Sequence, residues 1–172
     1  FNGIYVRNTT AVGRIVTRNT VRNIRTATAN TSTGWGGAAF TGICFGPSLF
    51  IGATPDFQVE KNEVMDIALL HPTAATVAYG IALNTSSKAG VVERNSVHHL
   101  SQASVSASAS VIGILANGGV TLYRNNLVQV GIDSAGNPVT GPVRLFGIWK
   151  SSTTANRFFH NTVYVGGATA AS

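Results

Sequence analysis

The sequence predicts an all-β chain that is wound into a β-solenoid of about five coils, and three observations lead to this prediction. Charged residues make up only 10% of the chain, and the i,i+4 charge pairs of a surface helix are nearly absent. Apolar and polar residues alternate with the period of two that is typical of strands. Two short motifs recur five times in the same order, which indicates a repeat architecture.

The first motif is an apolar residue, a variable residue, Arg, Lys or His, then Asn, a variable residue, and Val or Leu. Its five copies are VTRNTVRNI (16–24), VEKNEVMDI (59–67), VERNSVHHL (92–100), LYRNNLVQV (122–130) and FFHNTVYVG (158–166). Asn tolerates the left-handed backbone of a sharp bend, and stacked Asn side chains can hydrogen-bond between coils. The motif therefore predicts a structural Asn column of Asn19, Asn62, Asn95, Asn125 and Asn161. The aliphatic residues predicted to point inward after it are Val21, Val64, Val97, Leu127 and Val163.

The second motif is Gly-Ile, which precedes each copy of the first. If Ile points inward, strand alternation places its neighbours on the outer face. Reversing the alternation would put the five Ile outside instead, so the outer face is apolar in either case. The residues of this predicted interface are Phe1, Gly3, Tyr5, Phe40, Gly42, Cys44, Gly80, Ala82, Val111, Gly113, Leu115, Leu145, Gly147 and Trp149. Because solvated sheet faces are usually polar, we expect a long loop, another region of a parent protein or a neighbouring subunit to cover it.

The two segments 26–40 and 131–143 are rich in turn-forming residues and are predicted to be loops. No linker or shift in composition divides the chain, so residues 1–172 are expected to form one β-helix domain. The chain starts at Phe1 without Met, and we expect a segment of a longer solenoid or a subunit that stacks on others. The single cysteine, Cys44, excludes an internal disulfide.

The Gly-Ile strand, the Asn at a bend and the Val that follows resemble the right-handed parallel β-helix repeat of the pectate-lyase-like superfamily. The resemblance covers nearly the whole chain. The C-terminal HNTVYVGG is the part that most resembles repeat segments of large secreted bacterial surface proteins. The resemblance implies the fold more strongly than an activity, since the superfamily contains both lyases and hydrolases.

Candidate catalytic residues are few. Glu60 and Glu93 occupy equivalent places in neighbouring coils and form a candidate carboxylate pair, but a base follows each of them. His98 and His99 are adjacent on a strand and should point to opposite faces, which disfavours a shared metal. Ser48 lacks the second Gly of a nucleophile elbow. We therefore predict no catalytic residue, no metal site and no cofactor.

The sequence thus predicts a structural, non-enzymatic module of a secreted or cell-surface bacterial protein, such as a fibre subunit, stalk or adhesin segment. Its expected partners are further copies of itself or more of the same polypeptide. The net charge of +6 adds acidic glycans as a candidate partner class. No nucleic-acid motif and no membrane span is predicted. Two alternatives remain: a polysaccharide lyase or hydrolase built on Glu60 and Glu93, and a passive glycan-binding module that uses Tyr5, Trp149 and basic residues.

Overall fold

A computed structural model describes residues 1–6, 14–34, 36–45, 57–84 and 89–168 of the chain. These residues form fifteen β-strands and no helix. The strands are β1 (Asn2–Val6), β2 (Arg14–Thr17), β3 (Thr20–Thr26), β4 (Phe40–Phe45), β5 (Phe57–Glu60), β6 (Glu63–Leu69), β7 (Val77–Asn84), β8 (Ala89–Glu93), β9 (Ser96–Gln102), β10 (Ser110–Asn117), β11 (Val120–Arg124), β12 (Leu127–Val130), β13 (Arg144–Lys150), β14 (Arg157–Phe159) and β15 (Thr162–Val165). Ser48, Trp35 and Asp56 lie outside the described residues.

Every third strand joins the same sheet, so three consecutive strands make one coil. Sheet 1 has the order β1-β4-β7-β10-β13, sheet 2 the order β2-β5-β8-β11-β14, and sheet 3 the order β3-β6-β9-β12-β15. All of these neighbours pair in parallel. The predicted all-β class and solenoid architecture are confirmed.

The core is the interior that the three sheets enclose. Each inward position repeats from coil to coil and forms a column of side chains along the solenoid. Two of these columns run through all five described coils, from the first to the last. The column in sheet 2 is Val16, Val59, Val92, Tyr123 and Phe158. The column in sheet 3 is Val21, Val64, Val97, Val128 and Val163.

The Gly-Ile strands depart from strict alternation, and this corrects the predicted direction of the glycines. A Cβ built on Gly42 would lie 2.6 Å from a methyl of Val64, and the corresponding atoms of Gly3, Gly80, Gly113 and Gly147 would meet the same sheet 3 column. The five glycines therefore face the interior. They allow sheet 1 to approach sheet 3 more closely than any residue with a Cβ would permit.

The residues two positions before each glycine also face inward, contrary to the prediction. Phe40 and Val111 are fully buried in the main core, and Leu145 packs against it. Phe1 stacks on the ring of Phe40 at a centroid distance of 5.9 Å. Gly and Ile are consecutive residues that both face the core. Strict alternation counted back from Ile therefore assigned these positions to the outer face, which is wrong.

The outer face of sheet 1 is apolar, and the chain covers much of it with its own loop. The second hydrophobic cluster contains Val77, Tyr79, Ala82, Ile112 and Leu115 together with Ala38 of the segment 27–39. The Tyr79 hydroxyl donates to the Thr33 carbonyl at 2.8 Å, and Asn2 Nδ2 donates to the Gly36 carbonyl. The predicted loop 26–40 therefore covers part of this face, and a long loop was one of the three alternatives proposed for its cover.

Candidate functional site

An asparagine ladder runs along the bend between sheets 2 and 3. The backbone N–H and the Nδ2 of Asn62 both donate to Asn95 Oδ1, each at 3.0 Å. Asn62 Nδ2 also donates to the Val16 carbonyl of the preceding coil at 2.8 Å. The same bonds repeat from Asn95 to Asn126 and from Asn126 to Asn161. Each amide thus connects the coils on both sides, and the interior amides are buried.

The fourth member of the ladder is Asn126, and the prediction of Asn125 for this column is wrong. Asn125 has a φ of 54° and precedes the ladder residue, as do Arg18, Lys61, Arg94 and His160, whose φ values lie between 51° and 56°. The residue before the ladder therefore makes the left-handed bend, which was predicted for the ladder Asn itself. The adjacent Asn pair in LYRNNLVQV made both assignments compatible with the motif.

The same one-residue shift applies to the valine column. Val128 pairs with both Val97 and Val163, whereas Leu127 is 48% exposed. The inward residue of coil four is thus Val128 and not Leu127. An apolar residue lies three positions before Asn125 (Leu122) and also three positions before Asn126 (Tyr123), so the apolar pattern of the motif does not decide between them.

The ladder has a direction, because each Oδ1 accepts from the Asn of the N-terminal neighbouring coil, whereas the backbone N–H and one Nδ2–H donate to the Asn of the C-terminal neighbouring coil. The second Nδ2–H donates back to a carbonyl of the N-terminal coil. The Oδ1 of Asn19 accepts no hydrogen bond from the described residues. At the other end, Asn161 Nδ2 donates to the Tyr123 carbonyl at 3.0 Å, but its second N–H and its backbone N–H have no acceptor within the described part of the chain. The two ends therefore carry complementary hydrogen-bonding groups.

The C-terminal coil also exposes core side chains. Phe158, Val163 and Val165 belong to inward columns, yet they are 36%, 45% and 50% exposed. Phe158 stacks on the buried Tyr123 ring with one face, at a centroid distance of 4.9 Å. Its other face has no covering coil among the described residues. Strand edges with unpaired backbone groups and apolar side chains are templates for further β-pairing.

The five predicted interface residues that do point outward on sheet 1 divide into two groups. Cys44, Ala82 and Leu115 point outward but are buried, and burial raises the pKa of the Cys44 thiol to about 12. Tyr5 and Trp149 remain 44% and 38% exposed. They lie in the first and the last strand of sheet 1, so they do not form one aromatic platform.

The two carboxylates of the candidate pair lie in neighbouring strands, and each has a basic side chain beside it. Glu60 and Glu93 are register partners in β5 and β8. Arg124 Nε donates to Glu93 Oε2, while Lys61 lies 3.8 Å from Glu60. Glu93 is buried. Each carboxylate is therefore occupied by a basic side chain, and the geometry gives no support to acid–base chemistry at this pair.

A second polar cluster, which the sequence did not predict, lies on the outer side of sheet 3. The Nδ1 atoms of His98 and His99 are 3.1 Å apart, although adjacent strand residues were expected to diverge. His99 has a φ of 54°, which ends the alternation. His99 Nδ1 lies 3.1 Å from Asp66 Oδ1, and His98 Nε2 lies 3.5 Å from Glu63 Oε1. No group of three metal-ligating side chains is placed to hold a metal ion among the residues that the structure describes.

A search for membrane-spanning helices finds none that is long and apolar enough in the described ranges. Comparison of the chain with protein-family models, with curated proteins and with solved structures finds no match.

Proposed function

We propose that this chain is a non-enzymatic structural module that extends a β-solenoid by joining coil to coil at its ends. The setting we propose is a secreted or cell-surface bacterial protein, in which the module is a fibre subunit, a stalk or an adhesin segment. This setting rests on the resemblance of its Gly-Ile and Asn repeats to pectate-lyase-like β-helices and to bacterial surface-protein repeats. The single observation that carries the structural role is the complementarity of the two ends.

In the proposed junction, β1–β3 of a second copy cover β13–β15. The hydrogen bonds of the ladder would continue from Asn161 to Asn19 of the next copy, in the same direction as within the chain. The sheet 3 column would continue from Val163 to Val21, which would bury the valine that is now 45% exposed. If two copies met through their C-terminal ends, the free donors of one ladder would face the free donors of the other. The ladder therefore favours head-to-tail contact.

Disulfide trapping tests this junction and its direction. Thr20 and Thr162 occupy the same outward position in the first and last coils of sheet 3. Directly paired positions of neighbouring parallel strands lie about 5 Å apart, within the range of a disulfide. In a Cys44→Ala background we expect oxidation to link Thr20→Cys chains to Thr162→Cys chains when the two variants are mixed. The double variant should form a ladder of oligomers on a non-reducing gel.

The matched control is Ser96→Cys, which occupies the same position in the central coil and should not crosslink. Dimers of Thr162→Cys alone would indicate a tail-to-tail contact and contradict the proposed direction. A protein that stays monomeric by light scattering at millimolar concentration, with no crosslink in the mixture, would overturn the proposed function. Electron microscopy of the wild-type chain should show rods with a repeat of roughly 24 Å, which corresponds to five strand spacings.

A further inference from the structure

Three left-handed residues are stacked in sheet 3 and interrupt the alternation of its strands. They are Asn23, Asp66 and His99, with φ values of 59°, 55° and 54°. Each occupies the same place in its strand, between the register pairs Arg22–Met65 and Ile24–Ile67 or Met65–His98 and Ile67–Leu100. Left-handed non-glycine residues are kept where the surrounding structure imposes them, and they are common at binding sites.

This stack ends at coil four, where a loop rises beside it, and a β-bulge therefore separates β9 from β12. Val128 and Val130 pair with Val97 and Leu100, so β12 lacks the extra residue. The chain then leaves the sheet at Gly131 and returns by an antiparallel bridge between Ile132 and Pro138. The Val139 N–H donates to the Gly131 carbonyl at 2.9 Å. The loop 131–139 is therefore anchored at its base to the same sheet.

Side-chain hydrogen bonds shape the tip of this loop. The Asp133 Oδ1 accepts from the backbone N–H groups of Ala135 and Asn137 at 2.9 Å and 2.8 Å. Bonds from Asn137 hold the pKa of Asp133 below its ordinary value, so the carboxylate is ionised at neutral pH. Between the loop and the left-handed residues Asp66 and His99 lies a cleft of about 300 Å³. Its volume is at the lower end of the range for small-ligand sites.

The cleft presents both acceptors and a cation. Arg25, Asp66, His99 and Asp133 all line it. In the tautomer where His99 Nδ1–H donates to Asp66 Oδ1, His99 Nε2 is a free acceptor. Neither His99 Nε2, Asp66 Oδ2 nor the Arg25 guanidinium has a hydrogen-bond partner within the described ranges. Leu70 and Pro138 add apolar surface to the same cleft.

We propose that this cleft binds one neutral monosaccharide unit of a glycan. Sugar hydroxyls both donate and accept, so one pyranose can donate to Asp66 and His99 and accept from Arg25. An anionic sugar would meet two carboxylates, Asp66 and Asp133, which disfavours it despite the net positive charge of the chain. The apolar face of a pyranose ring would pack on Leu70 and Pro138. The residues that line the cleft all belong to one chain, so the site does not depend on the proposed assembly.

Saturation-transfer NMR tests this site and tolerates oligomers. The probes are the methyl pyranosides of glucose, galactose and mannose, with glucuronate as the anionic comparison. We expect saturable transfer to at least one neutral glycoside, with a millimolar Kd, and weaker or no transfer to glucuronate. Asp66→Asn should weaken binding about tenfold, since it removes a charge-assisted hydrogen bond. Asn also tolerates the left-handed backbone at this position, so the variant should keep the fold.

The control variant is Glu63→Gln, which removes the neighbouring carboxylate beside His98 and leaves the cleft residues in place. Its affinity should equal that of the wild type. The proposal is overturned if none of the three glycosides shows transfer, if Glu63→Gln weakens binding as much as Asp66→Asn, or if glucuronate binds more tightly than the neutral sugars. Each of these results leaves the disulfide-trapping test of the junction unaffected.

Discussion

The first and last described coils hold the outermost members of the same two core columns, but these members are covered to different degrees. Val16 and Val21, at the N-terminal end, are each 8% exposed. Phe158 and Val163, at the C-terminal end of the same columns, are 36% and 45% exposed. Identical positions in the repeat therefore do not contribute equally to stability. The C-terminal coil carries apolar surface whose burial would stabilise a junction, at roughly 25 cal/mol per Å².

The ladder gives the largest expected difference between an interior coil and this end. Asn95→Ala removes a buried amide that donates to Val59 and Asn126 and accepts twice from Asn62. We expect a loss of about 4 kcal/mol in the free energy of unfolding, because several buried groups lose their partners. Urea unfolding followed by circular dichroism measures this loss.

The matched variant for the ladder is Asn161→Ala, which should cost about 1 kcal/mol, because its three hydrogen bonds lie at a partly exposed position where water can replace them. Equal losses for the two variants would contradict the distinction between interior and end.

The inward glycines give a second comparison. A Cβ on Gly113 would overlap a methyl of Val128 and lie 2.6 Å from the Gly147 carbonyl oxygen. Gly113→Ala should therefore cost about 3 kcal/mol. Gly147→Ala would meet Val163, which can shift toward the open end, so about 1 kcal/mol is expected. Thermal and urea unfolding of both variants provide the measurement, and a larger loss for Gly147→Ala would show that the last coil is packed more rigidly than its exposure indicates.

The valine column gives a smaller contrast of the same kind. Val97→Ala removes two methyl groups from a fully buried site, and a loss of about 2 kcal/mol is expected. Val163→Ala should cost less than about 1 kcal/mol in the isolated chain. The two losses should become similar when unfolding is measured at a concentration that drives the proposed assembly. If they remain different in assembled protein, Val163 is not buried at the junction.

The smallest expected effect concerns the covered outer face of sheet 1, where we expect the Cys44 thiol to be protected from a thiol reagent. Burial raises the pKa of Cys44 to about 12, so its thiol is neutral and enclosed at pH 8. We expect DTNB to modify it at least about 100-fold more slowly in the native protein than in urea. Ser151→Cys, at an exposed position, serves as the control in a Cys44→Ala background. Rapid native modification of Cys44 would show that the segment 27–39 opens readily.

Some elements of the site carried their own signal in the sequence. Two motifs that recur in a fixed order predicted the solenoid, because each coil needs the same residue types at the same place. The stacked left-handed residues of sheet 3 also had a signal, which the two motifs did not include. Two residues separate the inward pairs Val64–Ile67 and Val97–Leu100, whereas one residue separates Val128 from Val130. An apolar spacing of three within a strand indicates an inserted residue.

Other features had no local signal. The choice between Asn125 and Asn126 depends on which residue meets the amide of the neighbouring coil, and the motif admits both. The inward turn of the Gly-Ile glycines depends on the distance between sheets 1 and 3. The cleft brings Asp66, His99 and Asp133 together from three coils, and the sequence separates them by more than thirty residues at each step.

The sequence by itself determined the class of fold, the order of the repeats and the aliphatic character of the core, because these follow from local alternation and from recurrence along one chain. Only the tertiary structure decided which face each strand buries, which loop covers sheet 1, and which end of the solenoid exposes its core. The physical reason is that these depend on contacts between coils. A contact between coils is set by the side-chain volumes and hydrogen-bond directions of residues that are distant in sequence.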